Sequence, residues 1–147
     1  MEWRQGDHVI TDDPARADVD AIHAFLTNAY WCEGIPREIV ERSVRNSLCF
    51  SLLRGATQVG FARAVTDRAT FAWIGDVYVL PEERGQGLSK WLMRVIVDHP
   101  SLAGLRRWML ATRDAAGLYR QVGFAPLAHP ERMMEIWSPG LYTRGRP

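Results

Sequence analysis

The chain has 147 residues, 47% of them hydrophobic, enough for one core of ordinary size and so for a single domain spanning residues 1–147. Eighteen Lys and Arg against seventeen Asp and Glu leave a formal net charge of +1, which supplies no general attraction to nucleic acid or to an anionic membrane surface. No run approaches the ~18 apolar residues of a membrane span, and the N-terminus MEWRQGDHV lacks the basic-then-apolar order of a signal peptide, so a cytoplasmic location is expected.

Val9 and Ile10 begin a short strand that stops at the turn signal Asp12-Asp13-Pro14. Asp18 is placed to cap a helix whose Ile22, Phe25, Leu26 and Ala29 share one face. That helix ends in the loop Tyr30-Trp31-Cys32-Glu33-Gly34-Ile35, and Pro36 starts a second one, with Glu38/Arg42 and Glu41/Arg45 spaced for surface ion pairs. Three strands follow, Leu48 to Arg54, Gln58 to Thr66 and Phe71 to Leu80. Their short turns, at Gly55 and near Asp67-Arg68, imply antiparallel pairing. A helix carrying Leu88, Trp91, Leu92, Val95 and Ile96 inward ends at His99-Pro100. A strand Arg107 to Thr112, a short helix Ala115 to Gln121 and a last strand Met133 to Trp137 complete the order β-α-α-β-β-β-α-β-α-β. The basic tail Tyr142-Thr143-Arg144-Gly145-Arg146-Pro147 is too short to argue for nucleic-acid binding and is expected to fray.

Between the third of those central strands and its following helix lies Leu80-Pro81-Glu82-Glu83-Arg84-Gly85-Gln86-Gly87-Leu88-Ser89-Lys90. Amides freed at a helix start carry partial positive charge, and Gly85 and Gly87 remove the Cβ atoms that would hold a phosphate away from them. The layout therefore fits a phosphate-bearing ligand. A dinucleotide fingerprint needs a third Gly where Lys90 stands, and a nucleoside-triphosphate loop needs Gly before Lys-Ser or Lys-Thr, where the chain has Ser89-Lys90-Trp91. What remains is Arg-x-x-Gly-x-small, with Arg84, Gly87 and Ser89.

This loop after VYVLPEE resembles the pyrophosphate loop of the GNAT superfamily of N-acetyltransferases, in which the last position is usually Gly or Ala. A second segment, Ala111 to Phe124, is similar to the same family's N-x-x-A-x-x-x-Y-x-x-x-G-F stretch, with Tyr119, Gly123 and Phe124 in register. The element order is also that of the GNAT fold. The resemblance implies an α/β (α+β) domain whose mixed, mostly antiparallel sheet carries helices on both faces, with acetyl-coenzyme A as co-substrate, no metal, and a small-molecule, peptide or protein amine as acceptor.

By that resemblance, Arg84, Gly85, Gln86, Gly87, Leu88, Ser89 and Lys90 would hold the pyrophosphate. The amides of Val77, Tyr78 and Val79 would bond the pantetheine or the thioester oxygen, a position where one donor contributes roughly 3 kcal/mol. Arg113 and Asp114 stand where relatives grip the pantetheine arm, so Asp114 is a further contact. Tyr119 would protonate the leaving thiolate; its alternative is an anchor packing the short helix onto the sheet. An alkylammonium acceptor also has to lose a proton, at a cost of about 4.6 kcal/mol at neutral pH for a pKa near ~10.4. Asp76, an acid inside an apolar strand, is the candidate to take that proton, in a family where a Glu often stands nearby and here Trp73 does. A substrate anchor and a structural partner of an Arg are equal alternatives for it. Tyr30 and Trp31 could wall an acceptor pocket and Glu33 could attract a cationic amine, or the same loop could be a lid over the core.

Other chemistries lack their residues. His8, His23, His99 and His129 have no mutual metal spacing, Ser51 and Ser89 lie outside a nucleophile elbow, and Cys32 and Cys49 lack the spacing of a zinc site or a disulfide framework. Cys49, between Leu48 and Phe50, reads as a buried apolar residue. Two further classes stay open: a non-catalytic acyl-coenzyme A binding module of the same fold, and a different enzyme with a similar phosphate loop. Tyr119 in register argues against both. Monomer and homodimer are equally compatible with the sequence.

Overall fold

The computed structural model describes residues 1–144; of the tail expected to fray, Tyr142–Arg144 form a turn in which the Thr143 and Arg144 amides donate to the Gly140 carbonyl at 3.1 Å, and residues 145–147 lie outside the described residues. Six strands form one sheet in chain order: β1 (Glu2–Gln5), β2 (His8–Thr11), β3 (Leu48–Arg54), β4 (Thr57–Thr66), β5 (Phe71–Val79) and β6 (Arg107–Met109). Every neighbouring pair is antiparallel except β5 and β6, which run parallel. Helices α1 (Val19–Leu26) and α2 (Arg37–Arg45) cover one face, while α3 (Leu88–Val97) and α4 (Ala116–Arg120) lie on the other. The fold class expected from the sequence is the one observed.

Strand alternation divides the core. Phe50, Leu52, Ala62, Ala64 and Ile74 point to the α3 side, where Leu88, Leu92, Met93 and Ile96 pack on them. Cys49, Phe61 and Tyr78 point the other way, against Ile22, Leu26 and Val40. Asp18 caps α1 as expected, its carboxylate accepting from the Ala21 amide at 3.0 Å. Glu41 pairs with Arg45 at 3.0 Å, whereas Arg37, rather than Arg42, supplies the other helix-surface pairs, to Glu41 and to Asp20.

The element order departs from expectation at both ends. An extra strand, β1, precedes the expected first one and turns back through Gly6, whose φ is +56°. Its sequence Glu-Trp-Arg-Gln is polar because β1 is a sheet edge, and only Trp3 reaches inward, against Phe50 and His99. At the other end, Met133–Trp137 forms no strand, and its side chains stand in solvent. The strand expected over Arg107 to Thr112 stops at Met109, because only Phe71, Ala72 and Trp73 of β5 keep it company before the two separate.

The sheet leaves no room for a side chain at Gly60 of β4. A Cβ built on Gly60 would lie 2.8 Å from the Tyr78 carbonyl oxygen and 2.9 Å from Leu52 Cδ2. The leucine can rotate away but the backbone carbonyl must move, so Gly60→Ala is expected to cost about 1–3 kcal/mol, read as a lower urea midpoint with an unchanged slope.

Candidate active site

The glycine loop is built as its sequence suggests. Gly85 and Gly87 have φ of +81° and +76°, values that L side chains rarely adopt, and no atom lies within 4 Å of where their Cβ atoms would stand. Gly87 precedes the first turn of α3 without any side-chain cap, and the first amide to find a carbonyl in that turn is that of Trp91, bonded to Gly87 at 3.0 Å. The amides of Leu88, Ser89 and Lys90 therefore point out of the helix start. They face a cleft of about 290 Å³ lined also by Arg84, by Leu118 of α4 and by Gln121 just past its end.

Glu83 fixes the loop to the sheet. Its buried carboxylate takes His8 Nε2 at 2.9 Å from β2 and Arg54 Nη1 at 2.8 Å from β3, while Gln86 Nε2 donates to the Glu83 carbonyl at 3.2 Å. Hydrogen bonds from His8 and Arg54 hold the Glu83 carboxyl below the usual carboxylate range. Arg84 Nε donates to the Val79 carbonyl at 3.0 Å, tying the loop to the end of β5.

Past Trp73 and Met109 the parallel pair separates, so β5 from Gly75 to Val79 keeps β4 on one side and an open edge on the other. Leu80 donates to Val59 at 2.8 Å, toward β4. Alternation then turns the amides of Val77 and Val79 to the open edge and that of Tyr78 back toward Phe61. Tyr78 also contributes its ring, stacked on Phe25 at 3.9 Å, and a hydroxyl that accepts from Gln58 at 3.4 Å.

A bulge interrupts the same stretch. Between the pairs Phe61/Tyr78 and Arg63/Gly75, β4 has one residue, Ala62, and β5 has two, Asp76 and Val77. Asp76 absorbs the extra length with φ of +54°, a region that Asp tolerates better than most residues. The twist aims its carboxylate at two partners, Arg63 Nε at 2.5 Å and Trp31 Nε1 at 3.1 Å. Arg63 also donates to Ser47 Oγ at 3.2 Å. Sequence reading found Asp76 and Trp31 but had no means of joining them to Arg63, which lies 13 residues away on the neighbouring strand.

The loop between α1 and α2 reaches the second motif. Tyr30 accepts from the Arg113 amide at 3.3 Å, the Arg113 guanidinium lies 3.8 Å over the Tyr30 ring, and Trp31 meets that ring edge-on at 5.1 Å. Tyr30, Trp31 and Asp76 thus stand together, whereas Glu33 is exposed and bonds none of them. Asp114 is also exposed and, among the described residues, pairs only with Arg113, at 3.6 Å. Tyr119 packs edge-on against Phe124 at 6.0 Å, and burial, with a smaller effect of the nearby Tyr30, pushes its hydroxyl above the usual tyrosine value. Burial also pushes the thiols of Cys32 and Cys49 up to about 12, so both remain protonated.

A six-stranded mixed sheet with an opened parallel pair, a glycine loop at a helix start and a tyrosine on the following short helix define an acyltransferase class, and comparison with known proteins agrees. The model of the acetyltransferase (GNAT) domain matches residues 45–126. A Gibberella zeae protein proposed to be an acetyltransferase is 35% identical over 142 aligned residues, covering 81% of this chain and 79% of its own. The crystal structure of a Xanthomonas campestris protein assigned to the GNAT family superposes with a TM-score of 0.90 at 46% identity, over 92% of this chain and 96% of that one. A Deinococcus radiodurans structure shares the fold at a TM-score of 0.74 and 18% identity, covering 97% and 96%. The chain belongs to the GNAT family and is an N-acetyltransferase.

Proposed function

We propose that the chain transfers an acetyl group from acetyl-coenzyme A to a primary amine by direct attack on the thioester. The observation that carries this reading is the open edge of β5, which presents the Val77 and Val79 amides beside a glycine loop whose helix-start amides are also free. Residues Arg84 to Lys90 would hold the pyrophosphate, with Gln121 across the cleft. The β5 amides would bind the pantetheine arm and take up charge on the carbonyl oxygen as the amine adds. Tyr119 would then give its proton to the sulfur that leaves, and its raised pKa keeps that proton available at neutral pH. Asp114, exposed at the rim, would contact the arm.

On the acceptor side, Tyr30 and Trp31 would form the wall and Glu33 the outer charge that attracts an ammonium group. Asp76 would act by position rather than as the base, since Arg63 and Trp31 engage both its oxygens. It would hold Trp31 over the β5 bulge and leave the amine to enter in its neutral form. Protonated thiols at Cys32 and Cys49, each donating to a backbone carbonyl, favour direct attack over an acyl-cysteine intermediate.

Thiol release from acetyl-coenzyme A, screened against a library of small amines, amino acids, peptides and lysine-containing proteins, tests the reading. Amine-dependent release with a matching acetylated product is expected. Tight coenzyme binding without transfer to any acceptor would instead favour a binding module.

A further inference from the structure

Neither the backbone nor the packing of β5 calls for a glycine at position 75. Inside a strand glycine weakens the ladder, and it commonly marks a bulge or a place where a ligand comes close. Gly75 has its φ outside the left-handed region. A Cβ added there would find its nearest neighbour at 3.6 Å, an ordinary contact, whereas at Gly60 the same atom would stand 2.8 Å from a carbonyl oxygen. The adjacent bulge does not account for the glycine either, because Asp76 absorbs it with its own φ of +54°. What the missing side chain leaves is a notch in the sheet surface.

The groups beside that notch are hydrogen-bond donors. Trp73 Nε1 lies 3.6 Å and Arg63 Nη2 4.0 Å from the point where the Gly75 Cβ would stand. Neither nitrogen bonds to any described residue: the guanidinium gives Nε to Asp76 and Nη1 to Ser47, and the Trp73 indole is unengaged. Arg63 pairs with Gly75 across the ladder and Val65 with Trp73, so the four form one patch, in which Val65 is 41% and Trp73 37% exposed. Ile74 between them points to the α3 side, which puts the patch on the face of α1 and α2, bordered by the Trp31 that Asp76 holds. An oxygen set into the notch comes within reach of both N–H groups, and a carbonyl or carboxylate oxygen has the two lone pairs to accept them. Asp76 already neutralises the guanidinium, so the notch selects by hydrogen bonding rather than by net charge.

We infer that the notch at Gly75 recognises the acceptor, and that the acceptor amine carries a carbonyl or carboxylate oxygen a few bonds from its nitrogen. The oxygen accepts from Trp73 Nε1 and Arg63 Nη2. Two residues along β5, ~6–7 Å further, lies the Val77 amide assigned to the thioester, and a few bonds of acceptor span that separation. Amino acids and their amides have this form, and simple alkylamines lack it. That the oxygen belongs to the acceptor rests on the acetyl-transfer reading; the donor notch does not.

Two measurements test it. In heteronuclear NMR spectra the Trp73 indole N–H signal, assigned by its loss in Trp73→Phe, is expected to shift with acetamide and with acetate up to ~100 mM but not with sodium chloride. Gly75→Ala, whose methyl occupies the notch at ordinary contact distances, should abolish that shift at an unchanged melting temperature. In the transfer assay, glycine, β-alanine and γ-aminobutyrate, their amides, and alkylamines of matching length are compared per neutral amine. The best oxygenated acceptor is expected to exceed its alkylamine by ~10-fold or more in kcat/KM. Gly75→Ala should lower that ratio by ~10-fold, and Trp73→Phe, which removes one donor, by ~3- to 10-fold. The same amines are compared in each protein, so their intrinsic reactivity cancels. A Trp73 signal that stays in place overturns the notch, and a ratio unchanged in both variants overturns its part in choosing the acceptor. Failure to acetylate any amine removes the acetyl-transfer reading instead and leaves the titration to decide the notch.

Discussion

Gly87→Val is expected to raise the KM for acetyl-coenzyme A by about 30- to 150-fold, the equivalent of about 2–3 kcal/mol of backbone strain at a positive φ. Gly87 sits at +76°, where a β-branched side chain meets its own backbone, so relaxing the strain means moving the amides of Leu88, Ser89 and Lys90. Nothing lies within 4 Å of the added Cβ, so the core is undisturbed and the loss falls on the surface that the amides present. Gly104→Val supplies the control. Gly104 has a φ of +78° and equally open surroundings, but it lies in the turn before β6, away from the loop. Both variants should lose similar stability, and only Gly87→Val should change coenzyme binding, measured by initial rates and by calorimetry with coenzyme A. An unchanged KM in a folded Gly87→Val protein would mean that the pyrophosphate is held elsewhere.

The parts of this site that were legible in the sequence are those written in consecutive residues. Arg84 to Lys90 could be read because a glycine spacing and a helix start determine where amides point, and Tyr119 to Phe124 because its motif lies on one short helix. The three central strands were legible for a similar reason: the runs from Leu48, Gln58 and Phe71 are apolar on both faces, and helices cover both. The Arg63–Asp76–Trp31 cluster was not legible. It depends on a one-residue bulge, and a register shift leaves no mark in composition. The bulge also explains why Asp76 read as a candidate base: an acid in an apolar strand looks unpartnered until the residue across the ladder is known. Met133–Trp137 has the composition of a strand, but a strand also needs a ladder partner, and composition does not say whether the fold brings one within reach.

Tyr119→Phe is expected to lower kcat by about 10- to 100-fold with little change in the KM for acetyl-coenzyme A. The phenyl ring keeps the edge-on contact with Phe124 at 6.0 Å, so a purely packing role would leave the rate intact. The loss is bounded because a thiol with a pKa near ~8.5 is already a tolerable leaving group, and unassisted departure of the thiolate remains available to the variant. The pH profile separates the roles further. Burial raises the Tyr119 hydroxyl above the ordinary value near ~10, so the wild type keeps its acid throughout the neutral range and loses it only as pH rises past that raised value. The ratio of wild-type to variant rate should therefore be flat from about pH 6 to 9 and fall toward one only in strong alkali. A constant amine concentration far below its own KM keeps acceptor ionisation common to both proteins, so it cancels from the ratio. Equal rates across the whole range would remove Tyr119 as the acid and leave the β5 amides to carry the transfer without it.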